Sequence, residues 1–405
     1  MPNLILDNDN DIADFVHGLT FMGTGGGGGS PAPAIELMRA DREQSGPFQI
    51  VDIDDLPADA WTVAVAGLGG RPPEQGPSEE ELHALGLIEP RYGRFELLAA
   101  AVQELARYAG VDIRAIVPGE LGSANTPAPM IVGRRLGIPT VDGDYAGRAI
   151  PEIGQTVPDI LGRQTCPFSF VDRWGNVVIV KEAASPAMID RIGRMLCLAG
   201  YGGVSFAGFL AQAGDVRDAF VRGTLSRAVQ IGRAGRQAPA DRVAAAMAEA
   251  AGGWVLFTGT IERSERDDQA AYMFGYGTHV IRGAGDDDGH ELRVWYKNEH
   301  HLSWIDGQPF VTSPDCLAIV DLDRREALPN SVIQPGQRVA VVGWPGNPVH
   351  RSPRGVAVLG PRHFGFDVDF VPIEDHVGRG RPRRGTPAAP ERRIGDMSAE
   401  RMQGE

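Results

Sequence analysis

The stretch IRAIVPGELGSANTPAPMIVGRRLGIPTV, residues 113–141, decides the fold. Its first five residues, 113–117, form a short apolar run bounded by turn residues, which is typical of a buried strand. Residues 126–136 are predicted to form a helix, with Asn125 as its cap, a proline in its first turn and a glycine just past its end. A second predicted strand, 138–141, follows at once. Strand, helix and strand in this order predict a right-handed crossover and a parallel sheet.

The same alternation extends toward the N terminus. Residues 12–22 carry apolar side chains at helical spacing after a run of capping residues, and WTVAVAGL at 61–68 reads as a buried strand. A helix is predicted over 95–109. We therefore predict an N-terminal α/β domain over residues 1–165, with a doubly wound, largely parallel sheet. Ligands of such sheets bind at the carboxyl ends of the strands.

The sequence changes in character after residue 165. Helical patterns at 216–232 and 241–251 precede several runs rich in β-branched and aromatic residues, from Trp254 onward. We predict a C-terminal α+β domain rich in antiparallel strands over residues 166–377. Residues 378–405 are rich in arginine, proline and glycine, and we expect a disordered tail there rather than a nucleic-acid-binding arm.

Composition excludes several function classes. The chain has 405 residues, a formal charge of -14 and three cysteines without Cys-x-x-Cys spacing. Such acidity argues against nucleic-acid binding, and the cysteines suggest neither disulfides nor a thiolate zinc site. The start has no secretory pattern, and the uncharged stretch 195–214 is interrupted by glycines and predicts a buried helix-turn-helix element. We expect a cytoplasmic protein that binds neither membrane nor nucleic acid; a homo-oligomer is left open.

A glycine run follows the first helix. The backbone N–H groups of Gly25, Gly26, Gly27 and Gly28, with the start of the next helix, could hold an anionic group of a substrate. A flexible hinge explains the run equally well. The helix in front of the run argues against a dinucleotide loop, which needs a preceding strand.

Two aspartates follow the strand predicted at 138–141. Asp142 and Asp144 would stand at its carboxyl end, where two carboxylates can act as an acid/base pair or hold a hard cation. Arg148 and Glu152 follow within one or two turns. The alternative is that Asp144 caps a turn and Arg148 neutralises it.

A second polar segment, Asn298-Glu299-His300-His301, ends a predicted strand. Because neighbouring strand residues face opposite ways, only one of the two histidines can join a site. That histidine could act as a base or as a zinc ligand, although a surface histidine is the plainer interpretation. Cys316 is more typical of core than of a nucleophile.

Six motifs in this order resemble the S-methyl thiohydantoin desulfurase family. They are GTGGGG (23–28), GSANTPAP (122–129), GIPTVDGDYAGRAIPE (137–152), KNEHHL (297–302), SPDCLAIVD (313–321) and GPRHFGFDVDF (360–370). The resemblance implies an enzyme that adds water to the ring carbon of a 2-methylthio-imidazolone and releases methanethiol and a hydantoin. The substrate would be a small heterocycle, and it could carry a propionate arm.

For this reaction we expect Asp142 or Asp144 as the base, His300 or Glu299 as a proton shuttle, and Asn298 as a donor that orients the ring. Substrate binding is expected from a wider set: Gly25, Gly26, Gly27, Gly28, Asn125, Arg148 and Arg362. The sequence establishes no cofactor, but a divalent metal such as zinc could activate the water, with Asp142, Asp144, Glu299 and His300 as candidate ligands. Two alternatives stay open, a hydantoinase that opens the ring and a noncatalytic subunit of a hydantoin-cleaving complex.

Overall fold

The computed structural model describes residues 4–69, 76–267 and 275–378. It contains two eight-stranded sheets with helices packed between and around them. The N-terminal strands are β1 (Leu4–Leu6), β2 (Phe48–Val51), β3 (Trp61–Leu68), β4 (Ile113–Ile116), β5 (Thr140–Val141), β6 (Gly143–Asp144), β7 (Phe168–Asp172), β8 (Val177–Val180), β9 (Val204–Gln212) and β10 (Val221–Arg222). The C-terminal strands are β11 (Trp254–Asp267), β12 (Tyr276–Gly283), β13 (Glu291–Lys297), β14 (Glu299–Ile305), β15 (Gln308–Thr312), β16 (Cys316–Asp321), β17 (Glu326–Ala327) and β18 (Arg338–Trp344). The helices are α1 (Asp9–Met22), α2 (Pro31–Ser45), α3 (Glu79–Ala84), α4 (Arg94–Ala109), α5 (Pro127–Leu136), α6 (Val157–Ile160), α7 (Pro186–Ala199), α8 (Ala213–Val216), α9 (Thr224–Gln237), α10 (Val243–Ala250), α11 (Pro353–Leu359) and α12 (Ile373–Gly378).

The first sheet has the order β1-β2-β5-β4-β3-β9-β7-β8. Its middle strands β2, β5, β4 and β3 are parallel, and both flanks are antiparallel. The strand-helix-strand pattern predicts β3, β4 and β5, whereas β2 was not predicted. The sheet extends past residue 165, where we predicted that the first domain ends, because β7, β8 and β9 complete it. Strands β6 and β10 pair separately as a short ribbon.

The uncharged stretch 195–214 corrects one prediction. Its first part belongs to α7, as expected, but its second part is the strand β9 and not a helix. A short apolar run buried on both faces has no periodicity that separates strand from helix, so the sequence pattern could not decide. No helix within residues 4–69, 76–267 and 275–378 is both long and apolar enough to cross a bilayer.

The second sheet has the order β15-β14-β13-β12-β11-β18-β16-β17, and all its pairs are antiparallel. This confirms the prediction of a C-terminal region rich in antiparallel strands. Hairpins connect β11 to β15 in sequence, which places the β13–β14 turn, with Asn298, at one end of the sheet. That end faces the carboxyl edge of the first sheet.

Helices α1, α9 and α10 form a layer that joins the two sheets. Their apolar side chains share one core cluster with residues of β2, β16 and β18. The close crossing of α1 and α9 depends on glycines, because a Cβ at Gly18 would collide with the backbone of Ala228 and one at Gly232 with the backbone of Asp14. Helix α1 begins as predicted, with Asn8 Oδ1 accepting hydrogen bonds from two backbone N–H groups, each at 3.0 Å.

Helix α5 starts slightly differently from the prediction. Thr126 is its N-cap residue, and Pro127 is its first residue. The side chain of Asn125, which we expected to cap the helix, turns away and donates to Glu120 instead. This displacement matters because it brings the Asn125 amide to the wall of a cavity.

Candidate functional site

A cavity of about 380 Å³ lies at the carboxyl ends of β3 and β4, where ligands of such sheets are expected. The β13–β14 turn of the second sheet closes one side of it. The lining residues are Gly28, Ala64, Ala66, Gly67, Leu68, Gly69, Gly119, Glu120, Asn125, Ile150, Pro151, Glu152, Ile153, Thr156, Asp190, Arg194, Phe206, Phe209, Arg266, Gly275 and Asn298. Most of the wall is apolar or backbone, and a few polar groups converge on it, as in sites for small molecules.

The glycine run forms a tightly packed bridge between the two sheets. Added Cβ atoms would collide with His300 at Gly25, with Glu299 at Gly26 and with the Gly122 backbone at Gly27. Gly28 is the member of the run that lines the cavity. Backbone hydrogen bonds fix the run as well, because the carbonyl of Thr24 accepts from the His300 N–H at 2.7 Å. Close packing is therefore the observed role of three of the four glycines that we assigned to substrate binding.

Glu120 is the carboxylate that the first sheet presents to the cavity. It is half-buried, and its Oε1 accepts from Asn125 Nδ2 at 2.6 Å while its Oε2 accepts from the Ile150 N–H at 2.7 Å. Burial raises the pKa of Glu120 to about 7, against the opposing effects of these hydrogen bonds and of the Arg148 charge. Sequence reasoning missed this residue, although it lies directly after the strand in the stretch that decides the fold.

Asn298 and Glu299 come from the second sheet. Asn298 has a left-handed backbone with φ of 59° and lines the cavity, and its Nδ2 donates to Glu299 Oε1. Glu299 is fully buried, and among the described residues its Oε2 has no hydrogen-bond partner. Burial, followed by the neighbouring charge of Glu120, raises the pKa of Glu299 well above its usual range. Glu120 and Glu299 therefore form an interacting pair of carboxyl groups, one on the wall and one behind it.

Glu152 stands on another part of the wall and forms two ion pairs. Its Oε1 is 2.7 Å from Lys297 Nζ, and its Oε2 is 3.0 Å from His363 Nε2. Burial alone would raise the pKa of Glu152, but the hydrogen bond from His363 and the charge of Lys297 outweigh it and lower the pKa to about 2. This carboxylate is thus fully ionised at neutral pH, whereas Glu120, with a pKa of about 7, is only partly ionised there.

The two predicted aspartates lie elsewhere. Asp142 caps α9, with Oδ1 accepting from the N–H groups of Leu225 and Ser226 at 3.1 and 3.0 Å and Oδ2 accepting from the Ser226 hydroxyl. Asp144 is fully buried away from the cavity wall, and its Oδ2 accepts from the N–H groups of Ala146 and Gly147. Burial raises the pKa of Asp144 to about 7. Backbone N–H groups bind Asp142 and also Oδ2 of Asp144, as in the turn-capping alternative for Asp144, whereas Asp144 Oδ1 has no hydrogen-bond partner among the described residues. Neither carboxylate lines the cavity.

The two predicted arginines also make contacts away from the cavity. Arg148 is 1% exposed and donates to Thr24 Oγ1 at 3.1 Å and to the His300 carbonyl at 3.0 Å, so it joins the glycine run to the second sheet. Arg362 lies on the surface, where it pairs with Asp367 and Asp369. Neither guanidinium reaches the cavity, and the expected substrate contacts of these two residues have no geometric support.

The two histidines face opposite sides of β14, as the strand geometry predicts. His300 lies under the glycine run, and His301 packs on Phe364 with ring centroids 4.1 Å apart. Burial lowers the pKa of His300 to about 3 and that of His301 well below its usual range. Cys316 is buried in the central core cluster, in line with the core interpretation.

The proposed metal shell is not assembled. Asp142 caps a helix, and both His300 ring nitrogens contact oxygen atoms of Leu317 and Asn330. Within the described part of the chain, no group of three or more His, Cys, Asp or Glu side chains is arranged to hold a metal ion. The candidate ligands Asp142, Asp144, Glu299 and His300 therefore do not form a metal shell in this arrangement.

Three comparisons place the chain among known proteins. A crystal structure of a protein from Chromobacterium violaceum has a TM-score of 0.72 and 20% sequence identity, covering 91% of this chain and 100% of that one; it shows a shared fold. Comparison with curated proteins gives no match. Residues 10–182 match the family model "S-Me-THD-like, N-terminal domain" and residues 184–373 match "S-Me-THD-like, C-terminal domain". The chain belongs to the S-methyl thiohydantoin desulfurase family.

Proposed function

We propose that the protein is a hydrolytic desulfurase that converts an S-methyl thiohydantoin to a hydantoin and releases methanethiol. The observation that carries this proposal is the Glu120 carboxyl, which stands on the wall of a cavity of about 380 Å³ with a pKa raised to about 7. A general base works best when its pKa is close to the working pH. The family membership supports the class of substrate.

The first step is the addition of water to the ring carbon that bears sulfur. Glu120 takes a proton from water as the new carbon–oxygen bond forms, and the electron pair of the C=N bond moves to the ring nitrogen. The proton on Glu120 then passes to that nitrogen. The amide N–H groups of Asn125 and Asn298 that do not bond Glu120 and Glu299 are suited to hold the ring as this charge develops.

The second step breaks the carbon–sulfur bond. Glu120 takes the proton of the added hydroxyl as the carbonyl forms and methanethiolate leaves, and the proton then passes to the sulfur. One water is consumed, and one hydantoin and one methanethiol are produced. Glu299 is buried behind Asn298, and its raised pKa favours the neutral form of this carboxyl, which limits the negative charge beside Glu120.

The cavity also suits the substrate in size and polarity. Ligand sites of small molecules occupy roughly 300–1,000 Å³, and the apolar wall here includes Leu68, Ile150 and Phe206. Arg194 is suited to bind a propionate arm of the substrate, in place of Arg148 and Arg362, which were expected from the sequence. It lines the cavity and is 3% exposed, and Asp190 orients it through a hydrogen bond of 2.8 Å from Nε.

The test is methanethiol release by the purified protein from S-methyl thiohydantoins, followed with a thiol reagent and by mass spectrometry of the ring product. We expect thiol and an intact hydantoin ring. In Glu120→Gln the rate should fall by roughly 10²- to 10⁴-fold, the usual contribution of a general base. Glu326→Gln is a matched control, because Glu326 is another partly buried carboxyl with a raised pKa that lies outside the cavity lining.

Other products would identify the rival functions. A carbamoyl acid without thiol would indicate a ring-opening hydantoinase. An absence of turnover by the chain alone, with activity restored by a partner subunit and unaffected by Glu120→Gln, would indicate a noncatalytic component. Equal rates in Glu120→Gln and wild type would remove Glu120 from the mechanism.

A further inference from the structure

Asn330 connects four segments of the molecule behind the cavity. Its backbone N–H donates to the Gly25 carbonyl at 2.8 Å, and its Nδ2 donates to the Asn298 carbonyl at 2.7 Å. Its Oδ1 is 2.8 Å from both His279 Nε2 and His300 Nε2. No sequence motif marks this residue, which opens a short 3₁₀ turn after β17.

The orientation of the Asn330 amide follows from its partners. The Asn298 carbonyl can only accept a hydrogen bond, so the nitrogen of the Asn330 amide must face it and the oxygen must face the histidines. His279 is fully buried and is held from its other side by Ser264, whose Oγ is 2.8 Å from Nδ1. The amide is therefore fixed by the second sheet and directs one N–H to the backbone of Asn298.

Asn298 needs such support. Its φ of 59° is uncommon in residues other than glycine. Asparagine adopts this conformation more readily than most residues, but the conformation still costs free energy that surrounding contacts offset. Its side chain lines the cavity and bonds Glu299. A change in the Asn298 backbone would move the amide that touches both the ligand space and the buried carboxyl.

We propose that Asn330 is a positioning residue, which holds Asn298 in its left-handed conformation through the hydrogen bond from Nδ2 to the Asn298 carbonyl. The proposal rests on the proposed function, in which Asn298 orients the substrate ring. The Nδ2 donor of Asn330 acts on the site, and the Oδ1 acceptor anchors the side chain to His279 and His300.

Two substitutions separate the donor function of the Asn330 amide from its acceptor function. Asn330→Ala removes both, whereas Asn330→Asp has the same shape and keeps the acceptor but loses the donor. We expect kcat to fall roughly 10- to 100-fold in both variants, as for other displacements of about 1 Å in an active site. Ser264→Ala is the matched control, since it removes the outer end of the same network without touching Asn298, and its kcat should stay near wild type. Normal turnover in Asn330→Asp would show that anchoring the histidines is sufficient, and the proposal would be overturned.

A second measurement needs no turnover and therefore remains decisive if the desulfurase activity itself is not found. Carboxyl groups can be titrated by ¹³C NMR in protein labelled at glutamate, with Glu299→Gln used for assignment. The charged groups that act on Glu299 are Glu120 and Arg148. If Asn298 shifts in Asn330→Ala, Glu299 loses the hydrogen bond that favours its charged form, so the pKa of Glu299 rises further.

The Glu299 titration should then move to higher pH in Asn330→Ala and stay unchanged in Ser264→Ala. An unshifted Glu299 titration in a folded Asn330→Ala protein would overturn the positioning role. A missing thiol release by wild type, with the Glu299 shift present, would instead reject the function and keep the structural assignment.

Discussion

Glu120 and Glu152 line the same cavity with opposite electrostatic surroundings. Glu152 has Lys297 and His363 beside it, which hold its pKa at about 2. Glu120 has an amide, a backbone N–H and a second buried carboxyl as neighbours, and burial raises its pKa to about 7. Two carboxyl groups whose pKa values are driven apart are the usual mark of an acid/base residue beside a structural one. The contrast favours Glu120 over Glu152 as the proton-transfer residue of the proposed reaction.

This contrast predicts the pH dependence of the proposed reaction. The base must be ionised, so kcat/KM should be high above about pH 7 and fall tenfold per pH unit well below it, because the pKa of Glu120 is raised to about 7. A pH–rate profile with a buffer series at constant ionic strength measures this. An acid limb at about pH 4, the range of an ordinary glutamate, would contradict the assignment.

Asp144 gives a second prediction, which concerns stability. Burial raises its pKa to about 7 from a usual 3.8, so the folded protein holds a proton that the unfolded chain releases. The folded state is therefore disfavoured progressively as pH rises from about 4 to about 7. Asp144→Asn removes this effect, and the Asn side-chain oxygen can still accept from the N–H groups of Ala146 and Gly147.

Urea unfolding of wild type and Asp144→Asn at about pH 5 and about pH 8 tests this point. The stability of the variant relative to wild type should be greater at the higher pH. Turnover should be retained, since Asp144 does not line the cavity. Loss of turnover in a stable Asp144→Asn protein would instead support the role as base that the sequence pattern suggested.

The residues that sequence reasoning located and those that it missed differ for a physical reason. Asn298, Glu299 and Gly28 were found because turns and strand ends concentrate functional groups. Arg148 was assigned to the substrate because its residue type suits a carboxylate, but the fold buries its guanidinium among carbonyl and hydroxyl oxygens. Glu120 was missed because its raised pKa comes from burial in the folded molecule, and contacts between segments distant in sequence leave no local pattern.

At the scale of elements, strand β9 shapes the cavity through one irregularity. Between the pairs Thr62–Ala211 and Ala64–Gly208, β9 has two residues where β3 has one. Phe209 lies in this bulge and has a φ of 54°. The ring of Phe209 stacks on Tyr145 with centroids 5.1 Å apart. It lines the proposed site on one side and a second cavity of about 450 Å³ on the other. Bulges near active sites commonly redirect a side chain in this way.

We therefore expect Phe209→Ala to join the two cavities. The variant should accept S-methyl thiohydantoins with larger ring substituents, seen as a lower KM for these substrates relative to the smallest one. It should also lose stability, by about 3–5 kcal/mol as for other buried phenylalanines. Phe209→Leu, which keeps most of the partition, serves as the comparison in the same substrate series. An unchanged order of KM values in a folded Phe209→Ala protein would show that Phe209 does not limit the substrate.

Strand β9 also shows which part of the fold the sequence does not predict. The parallel strands β3, β4 and β5 and the hairpins of the second sheet follow from apolar spacing and turn residues and were predicted, whereas β2 (Phe48–Val51) was not. The insertion of β9 between β3 and β7 depends on pairing over more than 130 residues of sequence, for example Leu68 with Val204. Such pairing is determined by the whole fold, and the local run 204–212 does not encode it.

At the scale of the whole molecule, the two family regions are interlocked. Strand β9 and helix α7 lie within residues 184–373, the C-terminal family region, yet β9 occupies the middle of the first sheet. Phe206 and Phe209 of β9 pack on Phe168 of β7, with ring centroids 5.8 and 5.4 Å apart. In the other direction, α1 of the N-terminal region packs on α9 and shares a core with β16 and β18.

This arrangement predicts that neither family region folds alone. A fragment of residues 1–182 would lack β9 and leave β3 and β7 as unpaired, apolar edges inside a broken sheet, a condition that favours aggregation. The complementary fragment 183–405 would expose the faces of α9 that contact α1. We expect each fragment alone to be insoluble or to lack a cooperative thermal transition, and co-expression of the two to restore a soluble complex.

A fragment 1–182 that unfolds cooperatively by itself would mean that β9 is dispensable for the first sheet. The cavity, whose wall takes Phe206 and Asn298 from the C-terminal region and Glu120 from the N-terminal one, would then have to be assembled by docking of preformed domains rather than by folding of one unit.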